Sequence, residues 1–208
     1  MSDEIANTEE HERAAYLLDA QTKAIKLFEE IERDLIRSGR VIRSGPNTLL
    51  LFDENPPDRI IQPDDILFVD LGPVFEEWEA DFGRTFVLGD DPNKKKLCDA
   101  LEPTWNAVKL RFQENPDMTG EELYDIACDL SQQAGWEFGG RIAGHLVGSF
   151  PHERIPRDKI SLYIVKGNKE RMSRLNDKGQ KRHWILEIHL VDRVRQIGGF
   201  YEQLLTVD

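Results

Sequence analysis

The hydrophobic pattern of the chain switches between a helical and an extended period, and the switches predict its elements. Between residues 8 and 38, Leu17, Ala20, Ala24, Leu27, Phe28, Ile31 and Leu35 recur at three- and four-residue steps. That spacing puts them on one stripe of a long amphipathic helix, with Gly39 as its stop. Ser44-Gly45-Pro46-Asn47-Thr48 is turn chemistry, and Leu49 to Phe52 reads as a short strand. Asn55-Pro56-Pro57-Asp58 is a loop. Ile66 to Leu71 is an apolar strand ending near Gly72-Pro73, and Asp81 to Gly89 is the next, rich in Phe, Thr and Val. The two are expected to pair antiparallel across a longer connection.

A second helix, about 94 to 113, carries Leu97, Leu101, Trp105, Val108 and Phe112 on one face. Thr119 with Glu122 three residues later is a capping box. It opens a third helix with the stripe Leu123, Ile126, Ala127, Leu130 and Ala134, closed by Gly135. Strands are then expected at Arg141 to Gly148, Trp184 to Leu190 and Phe200 to Val207. Each half therefore reads as helix and then strands, a coarse two-fold echo. With no linker in between, residues 1–208 are expected to be a single α+β domain, with 1–8 disordered.

Charge narrows the function classes. The chain of 208 residues has a net charge of -12, which repels phosphate backbones and argues against a nucleic-acid partner. No apolar run approaches the ~20 residues of a membrane span, so no membrane partner is expected. The acidic, polar Met1 to Glu10 is neither a secretory signal nor a presequence, and Cys98 and Cys128 alone make no disulfide framework. The expected compartment is the cytoplasm. The segment 154–182 runs against the trend, with ten lysines and arginines and three acids. It is either a solvated insertion or a basic lid over an anionic group.

The candidate chemistry lies on the strands. Asp70, Asp81, His145, Glu187 and Glu202 all sit on or beside predicted strands, where acids are poor formers. A carboxylate inside Ile66-Leu67-Phe68-Val69-Asp70 is costly to bury unless it is paired or bound to a metal. Four carboxylates and one imidazole make a mostly hard-oxygen donor set. It suits Mn²⁺, Fe²⁺, Co²⁺ or Zn²⁺, with charge enough for two ions.

These residues resemble the motifs of the pita-bread metallopeptidases: methionine aminopeptidase, aminopeptidase P, prolidase and creatinase. Val69-Asp70-Leu71-Gly72 and Asp81-Phe82-Gly83-Arg84-Thr85 look like the family's D-x-G and D-x-T-R-T segments, at its D-x₁₀-D spacing. Gly144-His145-Leu146-Val147-Gly148 is similar to its G-H-x-x-G, and His152 matches its substrate-contacting histidine. Glu187 and the Glu202 of Phe200-Tyr201-Glu202-Gln203 match its two glutamates. The resemblance implies a curved, mostly antiparallel sheet covered by helices, and the catalytic domain alone. It implies a dinuclear hydrolase, with Mn²⁺ the leading metal, acting on a short peptide as an aminopeptidase or Xaa-Pro dipeptidase does. By resemblance Asp70 chelates one metal and Asp81 and Glu202 bridge both. His145 and Glu187 complete the other metal's shell, Glu187 also shuttles the proton, and His152 donates to the substrate carbonyl. Two cations ~3.5–4 Å apart share a water whose pKa they lower.

The sequence departs from the family around the pocket. Leu49-Leu50-Leu51-Phe52-Asp53 stands where the peptidases carry a histidine. The Thr of D-x-T-R-T is Gly83, the arginine two before the last glutamate is Phe200, and E-P-G is Glu187-Ile188-His189. Phe52, Arg141 and His189 are therefore assigned to the substrate pocket. Arg141 either binds a substrate carboxylate or makes a rim salt bridge. His189 either enters the pocket or is a core histidine with a satisfied partner. The expected partner is a short peptide or small amide, anionic if the basic segment covers the site, and a homodimer would supply missing walls. Hydrolysis of a non-peptide amide or amidino C–N bond on the same fold, or a relative that binds without turnover, are the alternatives.

Overall fold

The computed structural model describes residues 40–72, 74–75, 78–79, 81–147 and 160–206. The helix expected over 8–38 lies outside these, as do His152 and the first part of the basic segment.

Among the described residues, six strands form one antiparallel sheet. They are β1 (Arg40–Ser44), β2 (Ile66–Leu71), β5 (Phe82–Val87), β6 (Glu137–Phe138), β7 (Ile185–Asp192) and β8 (Ile197–Leu204), in the spatial order β1-β2-β5-β8-β7-β6. The short β3 (Val74–Phe75) and β4 (Trp78–Glu79) pair as a hairpin in the connection from β2 to β5. Two helices, α1 (Pro92–Glu114) and α2 (Gly120–Gln133), lie between the two halves of the sheet in sequence. No described helix is long and apolar enough to cross a membrane.

Both helices are capped at their N-termini, α2 by the box that the sequence shows. Asp91 accepts from the backbone amides of Asn93 and Lys94 ahead of α1, and Thr119 and Glu122 close a reciprocal capping box on α2. Leu97, Leu101, Trp105, Val108 and Phe112 are all buried. They form one core with Leu186, Ile188 and Leu190, the alternate residues of β7 that face the same way. The Trp105 indole N–H donates to the Leu186 carbonyl at 2.9 Å, so the wide ring is buried without an orphaned donor.

Three expectations are corrected. Ser44, read as the start of a turn, ends edge strand β1 instead, and residues 40–43, for which the sequence predicts no element, form the rest of it; β1 pairs with β2 from Arg40↔Leu71 to Ser44↔Leu67. Leu49–Phe52 is not a strand: a 3₁₀ turn over Gly45–Leu49 leads into irregular chain. The strand expected over Arg141–Gly148 is reduced to isolated bridges, His145↔Tyr163 and Leu146↔Trp184. Gly140 and Gly144 interrupt its alternation, and Gly144 takes φ +128. A Cβ there would stand 2.0 Å from the Ile185 carbonyl oxygen. The glycine is what lets the histidine segment run flush against β7.

The described part of the basic segment, 160–182, opens with a 3₁₀ turn over Ile160–Leu162 and continues as irregular chain built onto the start of α2. Ile164 and Met172 sit in the core, and Asn168 Nδ2 donates to the Tyr163 carbonyl at 2.7 Å. Lys166 pairs with Asp125 at 2.9 Å, Lys169 pairs with Glu121, and Arg171 donates to the Asp117 carbonyl at 2.8 Å. These cations face acids of α2 and the loop before it.

Candidate metal centre and adjoining pocket

Strand register sets the geometry of the site. Asp70 lies opposite Gly83, Gly83 opposite Glu202, and Glu202 opposite Glu187. One row across β2, β5, β8 and β7 therefore carries three of the five candidate acids and histidine. Asp81 stands two residues before Gly83, on the same face. His145 is hung beside the row by backbone bonds on either side of it, from the Ile185 amide to the His145 carbonyl at 2.9 Å and from the Glu187 amide to the Ala143 carbonyl at 3.0 Å. The structure thus brings Asp70, Asp81, His145, Glu187 and Glu202 to one side of the sheet, away from α1.

The cluster is dry and crowded with charge. The Asp81 side chain is fully buried and its Oδ2 lies 3.1 Å from His145 Nε2; Glu187 Oε1 lies 3.8 Å from the same nitrogen. Ligand atoms of Asp81, His145 and Glu202 all fall within 4.8 Å of one another. Glu202 is 2 % exposed and, among the described residues, its Oε2 has no hydrogen-bond partner. Burial, and after it the charges of Asp81, Asp70 and Glu187, push its carboxyl well above the ordinary range. Burial opposes charge on His145 too. The hydrogen bond to Asp81 and the charges of Glu187 and Asp81 outweigh it and raise the imidazole to about 9. Like charges directly across a ladder are destabilising, and nothing in the fold requires Glu187 to face Glu202. A cation would satisfy every member at once. The donor set, hard oxygens with one imidazole, fits a divalent metal. His145 is oriented for it: Nδ1 lies 3.1 Å from the Leu146 carbonyl, leaving Nε2 directed at the acids.

Arg84, in the motif but given no role from sequence, ties this row together. Among the described residues, β5 and β8 share one ladder pair, Gly83↔Glu202, and the Thr85 hydroxyl bonds the Phe200 backbone beside it. Across that seam the Arg84 guanidinium donates to the carbonyls of Gly83 and Glu202, at 2.8 and 2.7 Å, and stacks 4.0 Å above the Tyr201 ring.

Next to the row lies a cavity of about 340 Å³ that Glu187 shares. Phe52, Arg141 and His189 all line it, although 49–52 and 141–144 are not strands. Two of these polar side chains have partners. Arg141 makes an ion pair with Asp53, and His189, buried, directs Nε2 at the Thr48 carbonyl, 2.8 Å away. Burial lowers the His189 pKa, which keeps the ring neutral. Thr48 is itself fixed, donating to the Gly45 carbonyl and accepting from the Gly198 amide. From the basic segment the cavity receives Ile160, Tyr163 and Val165, none of them charged.

An antiparallel sheet backed by two helices, with buried carboxylates and a histidine converging on its other face, makes a candidate metal centre on a pita-bread-like sheet. Residues 6–175 match the model of metallopeptidase family M24, and the chain belongs to that family. The Xaa-Pro dipeptidase of Pyrococcus horikoshii is 32% identical over 98 residues, a match covering 46% of this chain and 27% of the dipeptidase. The Xaa-Pro dipeptidase of Lactobacillus helveticus is 26% identical over 99 residues, covering 47% and 27%. The match thus spans about a quarter of the length of these curated relatives. Among solved structures, a dipeptidase from Mycobacterium ulcerans superposes with a TM-score of 0.60 at 24% identity, over 80% of this chain and 41% of that one. A prolidase from Pyrococcus horikoshii does so with a TM-score of 0.57 at 21% identity, over 79% and 43%. Their fold is the pita-bread fold that the motifs led us to expect.

Proposed function

We propose that this chain is a dinuclear metallopeptidase unit that cleaves short peptides beside a free N-terminus, with Asp70, Asp81, His145, Glu187 and Glu202 holding two divalent ions, Mn²⁺ foremost. The observation that carries the proposal is the single row Asp70, Gly83, Glu202, Glu187 across four strands, three of its members carboxylates, with His145 against Asp81 beside it. Ions bound there supply a water of lowered pKa and polarise the scissile carbonyl.

The protein's own groups do the rest. Burial of Asp81 and Glu202 keeps bulk water away, which strengthens every interaction in the site. Glu187 borders both the acid cluster and the cavity, so its carboxylate is placed to take a proton from a nucleophilic water and return it to the leaving amine. His152, outside the described residues, keeps the role implied by its place after the histidine motif: donation to the carbonyl oxygen as charge develops there.

The test is hydrolysis of a panel of dipeptides, Xaa-Pro peptides, Met-peptides and cyclic amides by chelator-stripped protein reloaded with Mn²⁺, Co²⁺ or Zn²⁺. Metal-dependent release of N-terminal residues is the expected result. Turnover of cyclic amides alone would move the reading to a non-peptide hydrolase, and no turnover with any metal would overturn it.

A further inference from the structure

Three positions where this sequence leaves the family motifs meet in one place. Phe52 and Phe200 both line the cavity beside Glu187. Gly83 does not line it, but a Cβ at Gly83 would stand 2.4 Å from the Phe200 ring. An interior contact that short is not accommodated without a shift, so the missing side chain at 83 is what makes room for the phenyl group at 200. The ring is then held by Phe68, with centroids 5.3 Å apart, and by the edge of His189 at 6.2 Å. The three changes are one device: where a histidine, a threonine and an arginine are expected, the chain has built an aromatic wall.

The rest of the cavity agrees in chemistry. Val41, Leu51, Phe68 and Ile142 continue the apolar surface on one side, and Ile160 and Val165 on the other. Asp53 and Arg141 neutralise each other at the rim, and His189 is engaged with Thr48. Among the described residues, the charged side chains of the lining are Asp53, Arg141 and Glu187, and the rest of the wall would meet a polar or charged side chain mostly with hydrocarbon. An apolar one would displace water that the walls hold poorly; the volume of about 340 Å³ is on the order of ten waters' share of the liquid. It suits a large side chain better than a single compact ring.

Building on the peptidase reading, we infer that this cavity is a specificity pocket for a large apolar or aromatic side chain flanking the scissile bond, and not for proline or an acidic residue. Phe52, Phe200 and Val165 determine that specificity, and the basic segment contributes through its apolar residues. The substrate class is a short, neutral peptide carrying Phe, Leu, Met or a similar residue at the cleaved bond.

The experiment has a turnover arm and a binding arm. Mn²⁺-loaded full-length protein is given Phe-Ala, Ala-Phe, Ala-Ala, Ala-Pro and Ala-Glu, and release of free amino acids is followed. One of the two Phe dipeptides is expected to exceed Ala-Ala in kcat/KM by about 10- to 100-fold. Val165→Trp, which fills the cavity, should abolish that preference, and half-exposed Phe52→Ala should reduce it. The binding arm follows N-acetyl-L-phenylalaninamide and N-acetyl-L-prolinamide by NMR shift perturbation, which needs no turnover. Only the former should perturb cavity residues, and Val165→Trp should remove the effect. Preference for Ala-Pro or Ala-Glu, or equal rates unaltered by Val165→Trp, would overturn the inference and leave the peptidase reading standing. No cleavage of any dipeptide, with Phe-amide binding still sensitive to Val165→Trp, would overturn the peptidase reading and leave the pocket. Equal binding of both amides would overturn the pocket in either case.

Discussion

Glu187 and Glu202 face each other across β7 and β8, and two residues along the same ladder His189 faces Phe200. The first pair belongs to a charged cluster that makes sense only around a cation. The second belongs to an apolar wall whose histidine is neutral and held by a backbone carbonyl. The first pair matches the family's motifs and the second departs from them. Two residues of strand therefore separate a pair that matches the motifs from a pair that departs from them, on one face of the sheet.

The largest expected effect comes from the charged pair's partner. His145→Ala should lower metal affinity and turnover by more than the ~10- to 100-fold typical of losing a group behind the ligands. Metal content after dialysis and kcat/KM are the readouts, and near-normal values would detach His145 from the centre. Glu202→Gln sharpens the point, because it removes a buried charge that only a cation justifies. It should raise the melting temperature of metal-stripped protein and lower that of metal-loaded protein. A fall in both states would mean Glu202 serves structure alone.

pH should separate the two regions as well. His145 is raised to about 9 from an ordinary value near 6.5, so in metal-free protein its stabilisation is complete below ~6.5 and is lost as pH climbs through 9, about 3 kcal/mol in all. Glu202, raised by burial and its acid neighbours, adds a penalty that grows above the ordinary carboxylate range, in the same direction. Denaturant midpoints of stripped protein should therefore fall between pH 6.5 and 9, and Mn²⁺ should restore them. A flat profile would contradict the charge balance described.

The aromatic wall has its own test. Gly83→Ala should cost about 1–3 kcal/mol by overpacking, and Phe200→Ala in the same chain should recover part of it. Strict additivity of the two in urea unfolding would uncouple them. Lys169→Ala should have the smallest effect, under about 1 kcal/mol, because its pair with Glu121 is at the surface. It should leave substrate charge preference untouched; altered preference would return the basic segment to the site.

Much of this was legible in the sequence for a definite reason. The helix stripes, the capping box and strands β2, β5, β7 and β8 are set by local periodicity, and the candidate ligands by chemistry that resists burial. The rest is tertiary. Edge strand β1 has little periodicity of its own and exists by pairing with β2. The segment around His145 is held by Gly144's left-handed backbone and by bonds to β7, not by strand alternation. Asp53 opposite Arg141, Thr48 under His189 and Arg84 across the seam are meetings between residues up to 141 positions apart, which spacing does not reveal.

The central claim is that the acid row holds two metal ions, and calorimetric titration of Mn²⁺ into chelator-stripped protein tests it most directly. Measured at pH 7 in buffers of different ionisation enthalpy, it should give two ions per chain, weakened by His145→Ala. Binding should release protons, because the imidazole, raised to about 9, must give its proton up to bind. No binding of Mn²⁺, Co²⁺ or Zn²⁺, or binding without proton release and indifferent to His145→Ala, would contradict it.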